Sequence, residues 1–298
     1  MIDRSIAPEI HPIDNITLPA PDKVVLDNGI AMYVINGGVC EVCQFTIYVK
    51  GGLFEQSKKL QAQITGLMLK RGAVYLSGKE IAERLDYNGA FCNIQTHDHE
   101  TEIRITCLIS KLNQVLPVVF EFVTKPSFPT NELSTLKDQM SAAYAQMRRQ
   151  TKYNAQCALN ENLFGKNHPL APFVFEGDVE NVVAEDLADF HNNYYYPQNC
   201  TITLSGNVSD SDICLVNKTF GQWVKQGEFK SPVPWHRSLS DDKFGIVQID
   251  NSVQSSICIA IDSIPRSHPD YIKLRIATTA LGGYFGSRLM SNIREDKG

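Results

Sequence analysis

Residues 60–102 read LQAQITGLMLKRGAVYLSGKEIAERLDYNGAFCNIQTHDHETE, and this stretch decides the fold. Leu60, Ile64, Leu67 and Met68 recur at i, i+4, i+7 and i+8, which is one face of a helix, and predict a helix over 58–71. Ser77 and Glu80 have the spacing of a capping box, in which a hydroxyl and a carboxylate each satisfy a backbone N–H left over at a helix start. They open a second helix that passes Leu85 and stops at Asn88-Gly89. Strands over 90–96 and 102–110 follow, joined as a hairpin around His97-Asp98-His99-Glu100.

Upstream, residues 1–22 are polar and Pro-containing and read as an N-terminal arm. Asp27-Asn28-Gly29 supplies the positive-φ position of a tight turn between strands at 23–26 and 30–35. A third strand is expected at 45–49. Downstream, apolar periodicity predicts helices over 112–124, 130–150, 154–164, 184–194 and 210–220, with one strand at 201–205. Clustered strands and long helices without strict alternation point to an α+β fold of two-layer domains, with a mainly antiparallel mixed sheet covered by helices. The first domain spans 23–226. A polar, Pro-containing linker is read at 227–241. Residues 242–298 then restart the same order, with strands at 245–250 and 255–262 and helices from Tyr271 and Ser287, as an incomplete second copy in tandem.

The chain has 298 residues, 43% hydrophobic and 20% charged, a globular composition. A net charge of −5 with scattered Lys and Arg gives no basic stripe, so nucleic acid is not an expected partner. No apolar run approaches the roughly 18 residues of a membrane span, and the first residues lack the apolar segment of a secretory signal. The 8 cysteines sit mostly in apolar runs and read as reduced thiols of a cytoplasmic-type compartment. Cys40 and Cys43 form a C-x-x-C without the helix start or second pair that a redox or zinc role needs, and are read as a strand-edge accident.

Four stretches resemble the pitrilysin/insulinase (inverzincin) zinc metallopeptidase superfamily, which includes mitochondrial processing peptidase. They are Leu26-Asp-Asn-Gly-Ile30; Gly89-Ala-Phe-Cys-Asn93 with Thr96 and Thr101; Phe190-His-Asn-Asn-Tyr-Tyr-Tyr-Pro197 with Asn199 and Gly206; and Leu281-Gly-Gly283 with Ser287-Arg-Leu289 and Asn292-Ile-Arg-Glu-Asp-Lys-Gly298. In active relatives the first long helix carries H-x-x-E-H, where two His on one face bind zinc and the Glu activates water. Met68-Leu-Lys-Arg-Gly-Ala73 is similar to the tail that follows this motif, which places the motif on Gln63, Gly66 and Leu67. None of these supplies a strong zinc ligand. A third ligand, a Glu, is implied about 75 residues further on; the stretch there reads Ala142-Ala-Tyr-Ala-Gln146, without a carboxylate. The resemblance therefore implies a scaffold with its catalytic positions vacated. His97 and His99, two apart, would share one face of a strand and are the remaining metal candidates, set against a solvated hairpin end. His191, inside the F-H-x-x-Y signature, is read as structural.

The same resemblance implies an Arg that contacts substrate, which falls on Arg294, and an edge strand over Phe91, Cys92, Asn93 and Ile94 to which a peptide can add by main-chain hydrogen bonds. Three readings follow. The first is a non-catalytic subunit, without a cofactor of its own, that binds peptide and complements a homologous zinc-bearing partner in a heterodimer. The second is a structural or protein-interaction module on the same scaffold. The third is an active zinc metallopeptidase with a non-standard site.

Overall fold

A computed structural model describes residues 7, 17–38, 40–166, 168–171, 173–227 and 244–297. It divides into two compact units, residues 1–255 and 256–298.

The first unit is built on a six-stranded sheet. Its strands are β1 (Asp22–Val25), β2 (Ala31–Asn36), β3 (Val42–Lys50), β4 (Phe91–Thr96), β5 (Glu100–Leu108) and β6 (Cys200–Gly206). Their order across the sheet is β1-β2-β6-β3-β5-β4. Every pairing is antiparallel except β2 with β6. Hydrophobic alternation sets which face is covered. Met32, Val34, Phe45, Ile47, Val49, Ile103, Ile105, Ile202 and Leu204 are all buried on the covered side. Tyr33, Gln44, Tyr48, Arg104 and Thr203 alternate with them and stay half-exposed.

The helices are α1 (Gln61–Met68), α2 (Gly78–Tyr87), α3 (Leu112–Thr124), α4 (Thr130–Met147), α5 (Thr151–Phe164), α6 (Glu176–Glu180), α7 (Ala184–Tyr194) and α8 (Asp210–Phe220). Phe45 of β3 meets Phe220 of α8 at 5.3 Å between ring centroids, and Phe120 of α3 meets the same ring at 5.4 Å. This aromatic stack carries the helical layer onto the middle of the sheet. The sequence-based elements are largely present. Ser77 caps α2, with its N–H donating to Glu80 Oε2 at 2.8 Å and its Oγ accepting from Glu80 N–H at 3.3 Å. Gly29, at φ 89°, makes the β1–β2 turn. Helix α1 is shorter than periodicity suggests: Leu60 takes a left-handed φ of 70° and delays the start, and Leu69–Arg71 tightens to a 3-10 turn.

The second unit holds α9 (Tyr271–Thr278), continued by π-helical turns at Thr279–Gly283 and Met290–Glu295. The strands expected at 245–250 and 255–262 do not form. Their apolar alternation is real, but a strand is completed by a hydrogen-bonded neighbour, and among the described residues none pairs with them. Ile257, Ile259 and Ile261 are exposed in consequence. The linker expected at 227–241 lies outside the described residues apart from Gly227, as does most of the arm at 1–22. No helix among the described residues is long and apolar enough to cross a membrane.

Candidate functional site

Helix α1 lies against β4 and α7. Its start is pinned by Gln61, whose side-chain carbonyl accepts from the Ser57 N–H at 2.9 Å and whose amide donates to the Asp186 carbonyl at 2.8 Å. Gly66 faces the sheet. A Cβ placed there would stand 3.1 Å from Thr96 Oγ1, 3.3 Å from Ile94 Cγ2 and 3.4 Å from Thr101 Cγ2. The absence of a side chain is what lets the helix approach β4 so closely. A side chain at this position requires Thr96 and Ile94 to give by a few tenths of an ångström.

Gln63 and Leu67, one helical turn apart, share a half-buried face. Tyr144 of α4 donates its hydroxyl to Gln63 Oε1 at 3.3 Å. The fold thus brings together Gln63 and Tyr144, 81 residues apart, at the two places where the resemblance implies ligands. What meets there is a phenol and an amide. Burial raises the Tyr144 pKa, outweighing the lowering by its hydrogen bond to Gln63, so the hydroxyl stays a protonated donor. With Leu67 offering no donor atom and Gly66 no side chain, this set does not fit zinc, which takes thiolate, imidazole or carboxylate. The spacing had marked 142–146 as lacking a carboxylate; the missed residue was Tyr144, which closes the gap with its own hydrogen bond.

His97 and His99 sit in the β4–β5 turn rather than on a strand, so the shared-face argument does not apply to them. Each has a separate carboxylate: His97 Nε2 lies 3.5 Å from Glu102 Oε2, and His99 Nδ1 lies 3.4 Å from Glu55 Oε1. The His99 ring also stacks on Phe54 at 4.6 Å. Among the described residues no group of three or more His, Cys, Asp or Glu is placed to hold a metal ion. Glu102 is buried and also takes Arg104 Nη2 at 2.5 Å. It faces Tyr48 across the β3–β5 register. Burial, with Glu102 second, raises the Tyr48 pKa.

Strand β4 is an edge of the sheet. The His97 N–H donates to the Glu100 carbonyl at 2.7 Å, which sets the alternation of the hairpin. Phe91, Asn93 and Gln95 therefore turn their backbone groups toward β5, and Cys92, Ile94 and Thr96 turn theirs to the open side. Lys70 reaches that side, with Nζ 3.5 Å from the Cys92 carbonyl. Phe91 and Asn93 are exposed, Cys92 is half-buried, and Ile94 is buried beneath α1. Burial pushes the Cys92 thiol up to about 11, so it is a neutral packing group.

The F-H-x-x-Y signature is structural. His191 Nε2 lies 2.8 Å from the Val123 carbonyl, and burial holds its imidazole down at about 3, neutral at ordinary pH. Asn199 Nδ2 donates to the Tyr194 carbonyl at 2.7 Å. In the second unit, Arg294 is exposed, with its guanidinium 5.9 Å from the Phe285 ring centroid.

Over residues 181–298 the sequence matches the family model described as the Peptidase M16 inactive domain. That match starts beyond α1 and α4. A protein of Bacillus subtilis (strain 168) named "Uncharacterized zinc protease YmxG" is 25% identical over 292 residues, 93% of this chain and 67% of that protein. A Helicobacter pylori protein named "Non-peptidase homolog YmxG" is 24% identical over 253 residues, 83% of this chain and 57% of that one. In fold, the chain is similar to the crystal structure of a peptidase M16 inactive domain from Pseudomonas fluorescens, with a TM-score of 0.71 at 22% identity over 92% of this chain and 68% of that one. A protease structure from Helicobacter pylori gives the same TM-score of 0.71 at 18% identity, over 94% of this chain and 69% of that one.

Proposed function

We propose that this chain, similar over residues 181–298 to the peptidase M16 inactive domain, is a non-catalytic peptidase-like subunit. It binds an extended peptide and complements a homologous, zinc-bearing partner in peptide hydrolysis. The observation that carries this reading is the Tyr144–Gln63 hydrogen bond, which occupies the α1–α4 junction where zinc ligands would converge. Gly66, packed against Thr96 and Ile94, supports the reading, since it carries no group that could act as a general base.

The peptide would add along the open side of β4, pairing with the backbone of Cys92, Ile94 and Thr96. Such pairing is tolerant of peptide sequence, because it uses N–H and C=O groups alone. Phe91 and Asn93 would offer side-chain contacts on the sheet's outer face. Arg294 would hold a peptide carbonyl, a task suited to a planar guanidinium. Residues 242–298 would belong to a second, homologous domain. Zinc is assigned to the partner and not to this chain.

Two measurements on the full chain separate the readings. Elemental analysis should find no stoichiometric zinc, and a fluorescent extended peptide should bind. Stoichiometric zinc that disappears in His97→Ala would move the assignment to a metallopeptidase with a non-standard site. Failure to bind any peptide would leave a structural module.

A further inference from the structure

Cys43 of β3 and Cys107 of β5 are register partners on adjacent antiparallel strands. Their Sγ atoms lie 3.8 Å apart, and both residues are buried. The C-x-x-C partner of Cys43, Cys40, is exposed in the segment before β3. The fold therefore gives Cys43 a different sulfur neighbour from the one that sequence proximity suggests. We propose that Cys43 and Cys107 are a latent cross-strand disulfide, closed by thiol–disulfide exchange with a small-molecule disulfide such as oxidised glutathione.

The geometry is close to what the bond requires. The Ile109 bond to Glu41 makes Cys43 and Cys107 a hydrogen-bonded pair, with Cβ atoms about 5.5 Å apart, so closing a disulfide of roughly 3.5–4.5 Å span draws the strands together by about 1 Å. An approach of roughly 1.8 Å would bring the sulfurs from 3.8 Å to bonding distance. Access comes from the end of the sheet. Cys43 is the second residue of β3 and Cys107 the second from last of β5, so the pair Val42–Leu108 and the Ile109 N–H bond to the Glu41 carbonyl at 2.7 Å close the end beyond them. That pair is 47% and 41% exposed, and opening of this end of the ladder frees both thiols. The shared S–H···S contact lowers the Cys43 pKa and raises that of Cys107, so Cys43 provides the first thiolate.

The exchange balances in two steps. The Cys43 thiolate attacks one sulfur of oxidised glutathione, breaking its S–S bond and releasing one glutathione. The Cys107 thiolate then attacks the Cys43 sulfur of the mixed disulfide and expels the second glutathione. The two cysteine protons pass to the two departing thiolates. Two cysteines are oxidised and one glutathione disulfide is reduced.

The test is to incubate the full chain with oxidised glutathione, block the remaining thiols with N-ethylmaleimide, and map the non-reduced digest by mass spectrometry. The expected product is a peptide pair joined through Cys43 and Cys107, formed equally well in Cys40→Ala and lost in Cys107→Ala, which instead carries glutathione on Cys43. The proposal is overturned if Cys43 and Cys107 remain alkylated while exposed Cys40 and Cys214 carry glutathione. A Cys40–Cys43 linkage would also overturn it. The wild-type map decides the matter by itself if Cys107→Ala does not fold.

Discussion

Helix α1 and strand β4 touch along Gly66, Ile94 and Thr96, yet the two differ in what they offer a ligand. The half-buried face of α1 is closed by a hydrogen bond from α4. The outer side of β4 is open. The difference follows from where each capacity is stored. Metal chemistry needs particular donor atoms at several positions, and Gln63, Gly66, Leu67 and Tyr144 offer only an amide and a phenol. An edge strand's hydrogen-bonding groups belong to the backbone, and side-chain changes leave them in place.

The largest effect sharpens the closed side. His191 anchors α7, which packs on α1, through the Val123 carbonyl. Burial holds its pKa at about 3 against an ordinary 6.5. The folded state takes the neutral ring, while the unfolded chain takes up a proton first as pH falls. Stability is therefore full above about pH 6.5 and declines as pH drops toward 3, by on the order of 4 kcal/mol across that window. Urea titrations from pH 7 down to pH 3 should show this slope, and His191→Gln should flatten it.

The next prediction attacks the contact between the two regions. Gly66→Glu would force a side chain against Thr96 Oγ1, 3.1 Å from the new Cβ, and bury a carboxylate without a cation. The expected destabilisation is about 3 kcal/mol, read as a lower melting temperature. An unchanged melting temperature would mean that α1 is not packed as described.

On the open side, Cys92→Pro removes an outward N–H while leaving the β5 ladder intact, because edge strands accept proline when that N–H faces outward. Peptide affinity should fall about tenfold, or about 1.4 kcal/mol, with the far-ultraviolet spectrum unchanged. Equal affinity would place the peptide elsewhere. The smallest effect is that of Tyr144→Phe. Removing the hydroxyl leaves the Gln63 carbonyl unpaired on a half-buried face, at a cost of about 1 kcal/mol in denaturant unfolding.

Much of this could be read from residue order. The Asp27-Asn28-Gly29 turn, the Ser77–Glu80 box and the alternation at 45–49 are local signals and each forms, while the strand expected at 102–110 runs from Glu100 to Leu108. Met68 to Ala73 set Gln63, Gly66 and Leu67 in register with the family's motif, as the resemblance implies. What could not be read is long-range pairing. Nothing local says that β6 inserts between β2 and β3, one pairing parallel and the other antiparallel. Nothing local says that Tyr144 meets Gln63, or that Cys43 faces Cys107 rather than Cys40. At 255–262 the local signal was itself misleading: alternating isoleucines mark a surface that suits a strand, but pairing is decided by a neighbour. His97 and His99, read as either a shared strand face or a solvated hairpin end, lie in the β4–β5 turn beside Glu102 and Glu55 separately.

The central claim is that this chain has no hydrolytic chemistry of its own and completes that of a partner. The most direct measurement is hydrolysis of a fluorogenic peptide by the pure chain, by a zinc-loaded homologue carrying H-x-x-E-H, and by the two mixed. The account predicts no turnover by the chain alone and a rate on mixing well above that of the homologue by itself, diminished in Cys92→Pro. Turnover by the pure chain, or a mixed rate equal to that of the homologue alone, would contradict it.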